Sequence, residues 1–142
     1  MKQILQRLMT SGFLIALTSC ASQPELDGND MSCPDSPNCV SSLASDSAHF
    51  IAPLAFKDQP EAAMERLKAA LLTEKRVTLV KEQADYLHAE IRSLIFRFVD
   101  DVEFTLDIEE KVFQVRSFSR VGYSDFGVNR RRIERIRQRF QK

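Results

Sequence analysis

The chain has few of the residues on which metal sites and nucleotide-binding loops depend. Among its 142 residues there are only two histidines and four glycines. The histidines, His49 and His88, are far apart and show no metal-ligand spacing, so the sequence predicts no metal site and no cofactor. The triplet Asp125-Phe126-Gly127 spells a kinase metal-binding motif, but no glycine-rich loop and no kinase catalytic loop accompany it.

An apolar run long enough to span a bilayer comfortably is also missing. The apolar run at residues 8–17 follows two basic residues, and residues 1–19 contain no acid. This layout predicts a secretory signal peptide over residues 1–19. The sequence LTSC at residues 17–20 resembles the lipobox of bacterial lipoproteins, in which a small residue precedes an invariant cysteine.

The lipobox resemblance implies that the chain is cleaved before Cys20 and that this cysteine carries lipid, such as palmitate, that anchors the protein to a membrane. The alternatives are an ordinary signal peptide and a short anchor that is never cut. Ala21 follows the cysteine, which in Gram-negative bacteria resembles the pattern of lipoproteins sent to the outer membrane. The expected location is the cell envelope, and in a Gram-negative organism the periplasmic side of the outer membrane. Residues 20–32 are predicted to be the lipidated cysteine and a flexible tether, because they are polar and lack apolar periodicity.

Two further cysteines, Cys33 and Cys39, enclose the sequence CPDSPNC. In an oxidising compartment, two cysteines this close most simply form a disulfide. Metal binding is the weaker alternative, because neither histidine is nearby in the sequence. The enclosed loop is short, so we expect the bridge to fix local shape more than global stability.

The chain has no net charge, but its basic residues are unevenly placed. Residues 130–142 contain seven basic residues and one acid, Glu134. Such a run is similar to a nucleic-acid patch, but a secreted, lipid-anchored chain is not expected to meet nucleic acid. A solvated helix face explains most of the run, and anionic membrane headgroups are a second partner for it.

Hydrophobic periodicity predicts a single α+β domain over residues 33–142, without internal repeats or low-complexity tracts. A short strand is predicted at 49–56 and a helix at 59–74, with Asp58 as the N-cap of the helix. A last helix is predicted to follow Asn129, which would be its N-cap.

Between these helices lie four segments with strand-like patterns, at 76–82, 86–93, 102–108 and 112–118. In the third segment, Asp101 and Glu103 alternate with Val102 and Phe104, which predicts a half-buried strand with one face in water. The order β-α-β-β-β-β-α predicts an antiparallel sheet of four to five strands with the helices packed on one face.

The stretch RSFSRVGYSDFGVNRRR, residues 116–132, concentrates arginines where a loop meets the last helix. Cations are unfavourable at a helix N-terminus, so this cluster needs an offset. One offset is an internal network that pairs carboxylates with arginines: Asp100, Asp101 and Asp125 with Arg116, Arg120 and Arg130. The other is an anionic ligand on the helix start, held by arginine forks and by the hydroxyls of Ser117 and Ser119.

Three stretches strongly resemble domain-of-unknown-function family 1499: CPDSPNCVSS at 33–42, FRFVDDVEFTLD at 96–107 and RSFSRVGYSDFGVNRRRIERIR at 116–137. The resemblance covers about residues 32–140, and its last motif is long and specific. The family brings no agreed activity, substrate or catalytic residue. The resemblance implies only that a set of motif residues is important, namely Asp100, Asp101, Arg116, Arg120, Asp125, Asn129 and Arg130.

These observations leave three functions open. The favoured one is a lipid-anchored binding or accessory module that holds an anionic or lipid-like ligand near residues 116–132. The second is an envelope interaction or structural protein with a protein partner, in which the arginine motif only holds strands and helix together. The third is a small hydrolase-type enzyme whose paired carboxylates, Asp100 and Asp101, perform acid–base chemistry or bind a divalent metal.

Overall fold

The computed structural model describes residues 26–142 of the chain. The predicted signal peptide, residues 1–19, and the predicted lipidation site, Cys20, lie outside the described residues. The described part is an α+β fold of six strands and two helices. The elements are β1 (Cys39–Ser41), β2 (Leu54–Ala55), α1 (Pro60–Leu71), β3 (Val77–Glu82), β4 (Tyr86–Arg92), β5 (Val99–Asp107), β6 (Val112–Ser119) and α2 (Val128–Phe140).

The strands form one antiparallel sheet with the order β1-β6-β5-β4-β3, and β2 also pairs with β6. The predicted order β-α-β-β-β-β-α is confirmed, and β1 is an additional strand at the edge. Strand β5 begins earlier than predicted, because Val99 pairs with β4 and residues 100–101 pair with both β4 and β6. The predicted strand at 49–56 is shorter: only Leu54–Ala55 pairs with β6, and Phe50 forms an isolated bridge to Ser41.

Helix α1 begins and ends inside its predicted bounds. It begins at Pro60, directly after Gln59, and ends at Leu71. Asp58, the predicted N-cap, instead forms an ion pair with Arg66, eight residues further along the chain. Across residues 26–142, no helix is long and apolar enough to cross a membrane.

Helix α2 begins at Val128, two residues before the start that the sequence predicted. Gly127 precedes the helix with a φ of 75°, a left-handed conformation that glycine adopts without steric cost. Asn129 is therefore not the N-cap. It lies in the first turn with its side chain fully buried beneath the sheet end.

Both helices pack on the same face of the sheet, as predicted, and the hydrophobic core lies between the two layers. Leu67 and Leu71 of α1 and Ile133 and Ile136 of α2 are completely buried there. The strands contribute a continuous apolar surface to this core: Leu87, Ala89, Ile91, Val102, Phe104, Phe113 and Val115. Burial of that surface is the main stabilising term of the fold.

The opposite face of the sheet is not the wet face that the alternation in β5 predicted. Asp101 and Glu103 are 1% and 0% exposed. Residues 26–32, which we call the N-terminal strap, cover this face. Met31 is buried, and a β-carbon at Gly28 would come within 2.6 Å of the Thr105 hydroxyl, so the strap passes close to the sheet.

The N-terminal strap changes the predicted boundary between tether and domain. Residues 20–32 were predicted to form a flexible tether, but its described part, residues 26–32, packs on the sheet. The Ser41 hydroxyl donates to the Met31 carbonyl at 2.5 Å, and the Arg116 guanidinium donates to the Ser32 carbonyl at 3.0 Å. The packed domain thus begins before residue 33.

Candidate functional site

Strand β5 separates the two aspartates that the sequence pairs. Successive strand residues point to opposite faces, so Asp101 shares a face with Glu103, and Asp100 faces the helices. Asp100 contacts α2, and Asp101 contacts the side chains of β4 and β6. The pair therefore forms no single two-carboxylate site, which removes the geometry that the hydrolase hypothesis requires.

The centre of the outer face is a buried charge pair. Glu103 is completely buried and accepts a hydrogen bond from the Tyr86 hydroxyl at 2.5 Å. The Arg116 guanidinium contacts the other oxygen of Glu103 at 2.5 and 2.7 Å. Burial and the neighbouring Glu103 carboxylate raise the pKa of Tyr86, which keeps its hydroxyl protonated as a donor. Arg116 also lies over the Phe118 ring, with 4.7 Å between guanidinium carbon and ring centroid.

A second charge group adjoins this pair on the same face. Asp101 contacts the His88 ring nitrogen Nε2 at 2.8 Å and accepts two hydrogen bonds from Arg120, at 2.7 and 2.8 Å. Arg120 also donates to Glu90 at 2.5 Å. Burial alone would raise the pKa of Asp101, but the hydrogen bonds from His88 and Arg120 outweigh it and hold that pKa below its ordinary value of 3.8.

We call these side chains together the outer network: Tyr86, His88, Glu90, Asp101, Glu103, Arg116 and Arg120. Each carboxylate in it contacts at least one cation of the same network. Part of the internal pairing that the sequence predicted is present, because Asp101 does bind Arg120. Arg116, however, pairs with Glu103 rather than with one of the predicted aspartates.

A second buried network lies on the helix side of the sheet. Asp100 accepts a hydrogen bond from Arg132 at 2.5 Å. The same guanidinium donates to the Asn129 side-chain oxygen at 2.6 Å, and that oxygen also accepts from the Ser117 hydroxyl at 2.6 Å. The Asn129 amide donates to the Ser119 hydroxyl at 3.1 Å. These bonds fasten the first turn of α2 to the ends of β5 and β6.

The start of α2 is occupied by groups of the chain itself. The Asp125 carboxylate accepts the backbone N–H of Gly127 at 2.8 Å and that of Asn129 at 2.7 Å. Asp125 therefore caps the helix and does not pair with an arginine as predicted. Arg130 donates instead to the carbonyls of Phe50 and Ala48, at 2.7 and 2.8 Å. An external anion at this helix start would compete with the carboxylate of Asp125.

The disulfide predicted between Cys33 and Cys39 is confirmed. It closes a loop that presents Asn38 to the end of the sheet. The Asn38 amide donates to the carbonyls of Gly122 at 2.6 Å and Ser119 at 3.2 Å. The small loop thus holds the connection between β6 and α2 in place.

A cleft of about 410 Å³ opens beside α2. We call it the basic cleft: six basic residues line it against two acids, a formal surplus of four positive charges. The basic residues are Lys75, Arg76, Arg92, Arg132, Arg135 and Arg139, the acids are Glu74 and Asp100, and the apolar wall consists of Ile91, Leu94 and Val128. Its position is between α2, the connection from α1 to β3, and the end of β4.

Some of the cations in the basic cleft are already paired. Glu74 binds both Arg135, at 2.7 Å, and Arg139, at 2.5 Å. Burial alone would raise the pKa of Glu74, but these two guanidinium groups lower it overall. Arg132 pairs with Asp100, yet its Nε is a buried donor that finds no acceptor among residues 26–142. Such an orphaned donor costs free energy that an added acceptor would recover.

The described residues contain no group of three or more His, Cys, Asp or Glu side chains arranged to hold a metal ion. His88 has the Asp101 carboxylate as its neighbour, but no third ligand adjoins them. His49 contacts Asp46 in a separate loop, at 2.9 Å.

Several side chains of the two buried networks were not singled out from the sequence. Glu103 and Arg132 are the most important, because each is the buried partner of a predicted residue. Glu103 could have been found from the pairing of β5 with its two neighbouring strands, β4 and β6. Antiparallel register places Glu103 opposite His88 on one side and Arg116 on the other. The signal for Arg132 was helical spacing: it precedes Ile136 by four residues, which places it on the same face of α2 as the buried Ile133 and Ile136.

The fold and these networks define a small α+β domain in which an antiparallel sheet carries buried charge on both faces. Residues 31–140 match the family described as proteins of unknown function, DUF1499, and the chain belongs to this family. A comparison with curated proteins gives no match.

Proposed function

We propose that this chain is a lipid-anchored cell-envelope protein whose domain binds an anionic, lipid-like ligand in the basic cleft. The anchor is the part of the proposal that rests on the signal-like residues 1–19 and on Cys20 in its lipobox context. In a Gram-negative organism the pattern around Ala21 favours the outer membrane, with the domain in the periplasm.

The observation that carries the proposed ligand is the charge surplus of the basic cleft. Guanidinium groups bind phosphate and carboxylate oxygens in bidentate geometry. The lining cations still outnumber the carboxylates that contact them when the ion pair of Arg92 with Glu90, at 3.0 Å, is counted with the two lining acids. The orphaned Nε of Arg132 lies in a side chain that lines the same cleft. The wall of Ile91, Leu94 and Val128 offers apolar contact next to the cations, which suits a molecule with an acidic head and an apolar body.

This site lies beside the one that the sequence indicated. The arginines of the predicted site, Arg116, Arg120 and Arg130, are engaged with Glu103, Asp101 and backbone carbonyls. We therefore propose Arg76 and Arg92 as the first ligand contacts, because Arg76 is exposed and the Arg92 side chain is 42% exposed. Binding is favoured over catalysis, since Asp100 and Asp101 point to opposite faces of the sheet.

The test is a thermal-unfolding titration of the full chain in detergent micelles. The probes are inorganic phosphate and phosphatidylglycerol mixed into the micelles. A ligand at a hundred times its Kd stabilises the folded state by about 2.7 kcal/mol, a shift of several degrees in Tm. We expect the wild type to respond, and the double variant Arg76→Gln/Arg92→Gln to lose the response.

Lys57→Gln is the matched control, because Lys57 is an exposed cation that lines a different cavity, beside Asp58 and Phe140. It should respond as the wild type does. Stabilisation by phosphate alone would identify a small anion, and a larger effect of phosphatidylglycerol would identify the lipid. Equal responses of all three proteins, or no response by the wild type, would contradict the proposal.

A further inference from the structure

Two neighbouring loops expose large apolar side chains at one end of the sheet. The loop between β4 and β5 exposes Leu94, Ile95 and Phe96 by 71%, 78% and 73%. The loop between β6 and α2 exposes Tyr123 by 75% and Phe126 by 86%. A cluster of such side chains on a small domain commonly marks a site that binds a membrane or another protein. We call residues 93–98 and 121–127 the apolar tip.

The topology explains why the two loops are adjacent. Strand β4 runs into the first loop, β5 leaves it, and β6, the neighbour of β5, ends in the second loop. The backbone N–H of Arg120 donates to the Val99 carbonyl at 3.0 Å, which joins the bases of the two loops.

Both loops are held in shape by their own hydrogen bonds. Ser93 and Phe98 close the first loop with a backbone bond of 2.9 Å and a second bond from the Phe98 N–H to the Ser93 hydroxyl at 2.9 Å. The rings of Phe96 and Phe98 stack with centroids 5.5 Å apart. In the second loop, Arg131 donates to the Phe126 carbonyl at 2.9 Å. The apolar side chains are thus presented outward by ordered backbone.

The charge around the apolar tip is mostly positive. Arg97 lies within the first loop and is exposed, and Lys75, Arg76 and Arg131 are exposed nearby. The described acids at this end are Glu74, Glu90, Asp100, Asp101 and Asp125, each bonded to groups of the chain, and Asp35, exposed in the disulfide loop. Aromatic and aliphatic side chains flanked by arginine and lysine match the interface between anionic headgroups and acyl chains.

We infer that the apolar tip docks on an anionic lipid bilayer, with Phe96 and Phe126 at the level of the acyl chains and Arg97 among the phosphates. A bilayer suits this surface better than a protein partner does, because the tip consists of two projecting loops and not of a groove. Leu94, Lys75 and Arg76 also line the basic cleft, but the inference does not require that cleft to hold a ligand.

Gly28, eight residues after the proposed lipid anchor in sequence, and the apolar tip lie at opposite ends of the sheet. Gly28 of the N-terminal strap packs on Tyr86 and Thr105, at the far ends of β4 and β5 from the tip. From Thr105 to Val99 the strand extends about 20 Å. Six residue steps from Leu26 back to Cys20 span at most about 20 Å. With the two further steps from Leu26 to Gly28 this reach becomes about 26 Å, which exceeds the length of the strand. Anchor and tip therefore reach one bilayer while the end of the sheet that carries Ile108 stays away from it, and two attachments hold the domain more firmly than either one.

The absence of tryptophan from the chain provides a direct test. Phe96→Trp places a single fluorophore in the apolar tip. Ile108→Trp places one at the opposite end, where Ile108 is 63% exposed. Each full-length variant is reconstituted with vesicles of phosphatidylcholine and phosphatidylglycerol that contain brominated acyl chains. We expect Trp emission from position 96 to move to shorter wavelength and to be quenched severalfold, and emission from position 108 to stay unquenched.

Equal quenching at both positions, or none at position 96, would overturn the inference. A concentration-dependent shift of the position 96 emission without lipid would also overturn it, because a second copy of the chain would then cover the tip.

A second variant, Arg97→Glu added to Phe96→Trp, tests the electrostatic part of the inference. In phosphatidylglycerol vesicles it should lower the docking equilibrium constant, measured from the quenched fraction, about tenfold or more, since each basic residue near an anionic surface contributes roughly 1 kcal/mol. Unchanged quenching in that variant would contradict the electrostatic part. If position 96 is quenched but phosphate does not raise the Tm of the protein, the docking surface is supported and only the proposed anion binding in the basic cleft is rejected.

Discussion

The outer network and the basic cleft both concentrate arginine, but they use it in opposite ways. In the outer network, Arg116 and Arg120 bind buried carboxylates, and Glu103 is completely enclosed. In the basic cleft, Arg76 and Arg92 are at least partly exposed, and the lining cations outnumber the acids. The first arrangement holds the sheet face together, and the second leaves positive charge for something outside the chain.

This difference changes how the arginine-rich motif is understood. The motif residues Arg116, Arg120 and Arg130 are engaged by the chain itself. The proposed ligand contacts, Arg76 and Arg92, lie outside the motif and come from other parts of the chain. A charged motif in a sequence can therefore report on the framework of a domain, while its binding surface is assembled from less conspicuous residues.

The largest expected effect comes from breaking the buried pair in the outer network. Glu103→Gln would leave the Arg116 guanidinium buried without its counterion. Removing one partner of a buried ion pair costs about 3–5 kcal/mol. We expect a loss of this size in the free energy of unfolding, measured by urea denaturation.

The matched control for that variant is Glu109→Gln in the exposed turn between β5 and β6. It should change the free energy of unfolding by less than about 0.5 kcal/mol. A loss below about 1 kcal/mol for Glu103→Gln would mean that the pair is not the centre of the outer network.

A smaller, pH-dependent effect distinguishes Asp101 within the outer network. Its pKa in the folded state is lowered below 3.8. The stabilisation from its charged form is therefore complete above the unfolded pKa and is lost as the pH falls through the lower, folded pKa. We expect the difference in unfolding free energy between the wild type and Asp101→Asn to shrink between about pH 5 and about pH 2. A constant difference over this range would show that the Asp101 charge contributes nothing to folding.

The smallest effect on stability is expected in the basic cleft. The variant Arg76→Gln/Arg92→Gln removes one partly exposed ion pair with Glu90 and the bond from Arg76 to the Arg92 carbonyl. Exposed pairs contribute about 0–1 kcal/mol each, so the free energy of unfolding should fall by less than about 1 kcal/mol. A loss as large as that of Glu103→Gln would mean that both regions are structural, and the comparison would fail.

The architecture was predictable because local pattern and burial agree in most segments. The alternating segments form β3 to β6, and Ile133, Ile136 and Phe140, which recur at helical spacing in the sequence, lie on the buried face of α2. The helix caps were less predictable. Several polar residues near each helix end could serve as its cap. At α2 the side chain of Asn129 is bound by Ser117, and Asp125 accepts the helix N–H group instead.

The candidate site was predictable only in part. One of the two offsets that the sequence left open was a network of three aspartates with three arginines, and Asp101 with Arg120 is a pair from that set that forms. The sequence also indicated a wet face for Glu103, because a carboxylate on an alternating strand usually faces water. The prediction was wrong because Tyr86 and Arg116 approach from the neighbouring strands and the N-terminal strap covers the same face.

The amino-acid sequence by itself determined the order of strands and helices, the disulfide between Cys33 and Cys39, and the arginine excess of the last helix. These features depend on residue spacing, which is local. Only the tertiary structure decided which arginines bind carboxylates or carbonyls of the chain and which remain exposed. That choice depends on strand register, on the direction of each side chain and on the distance to a carboxylate, and contacts between residues far apart in the chain set all three.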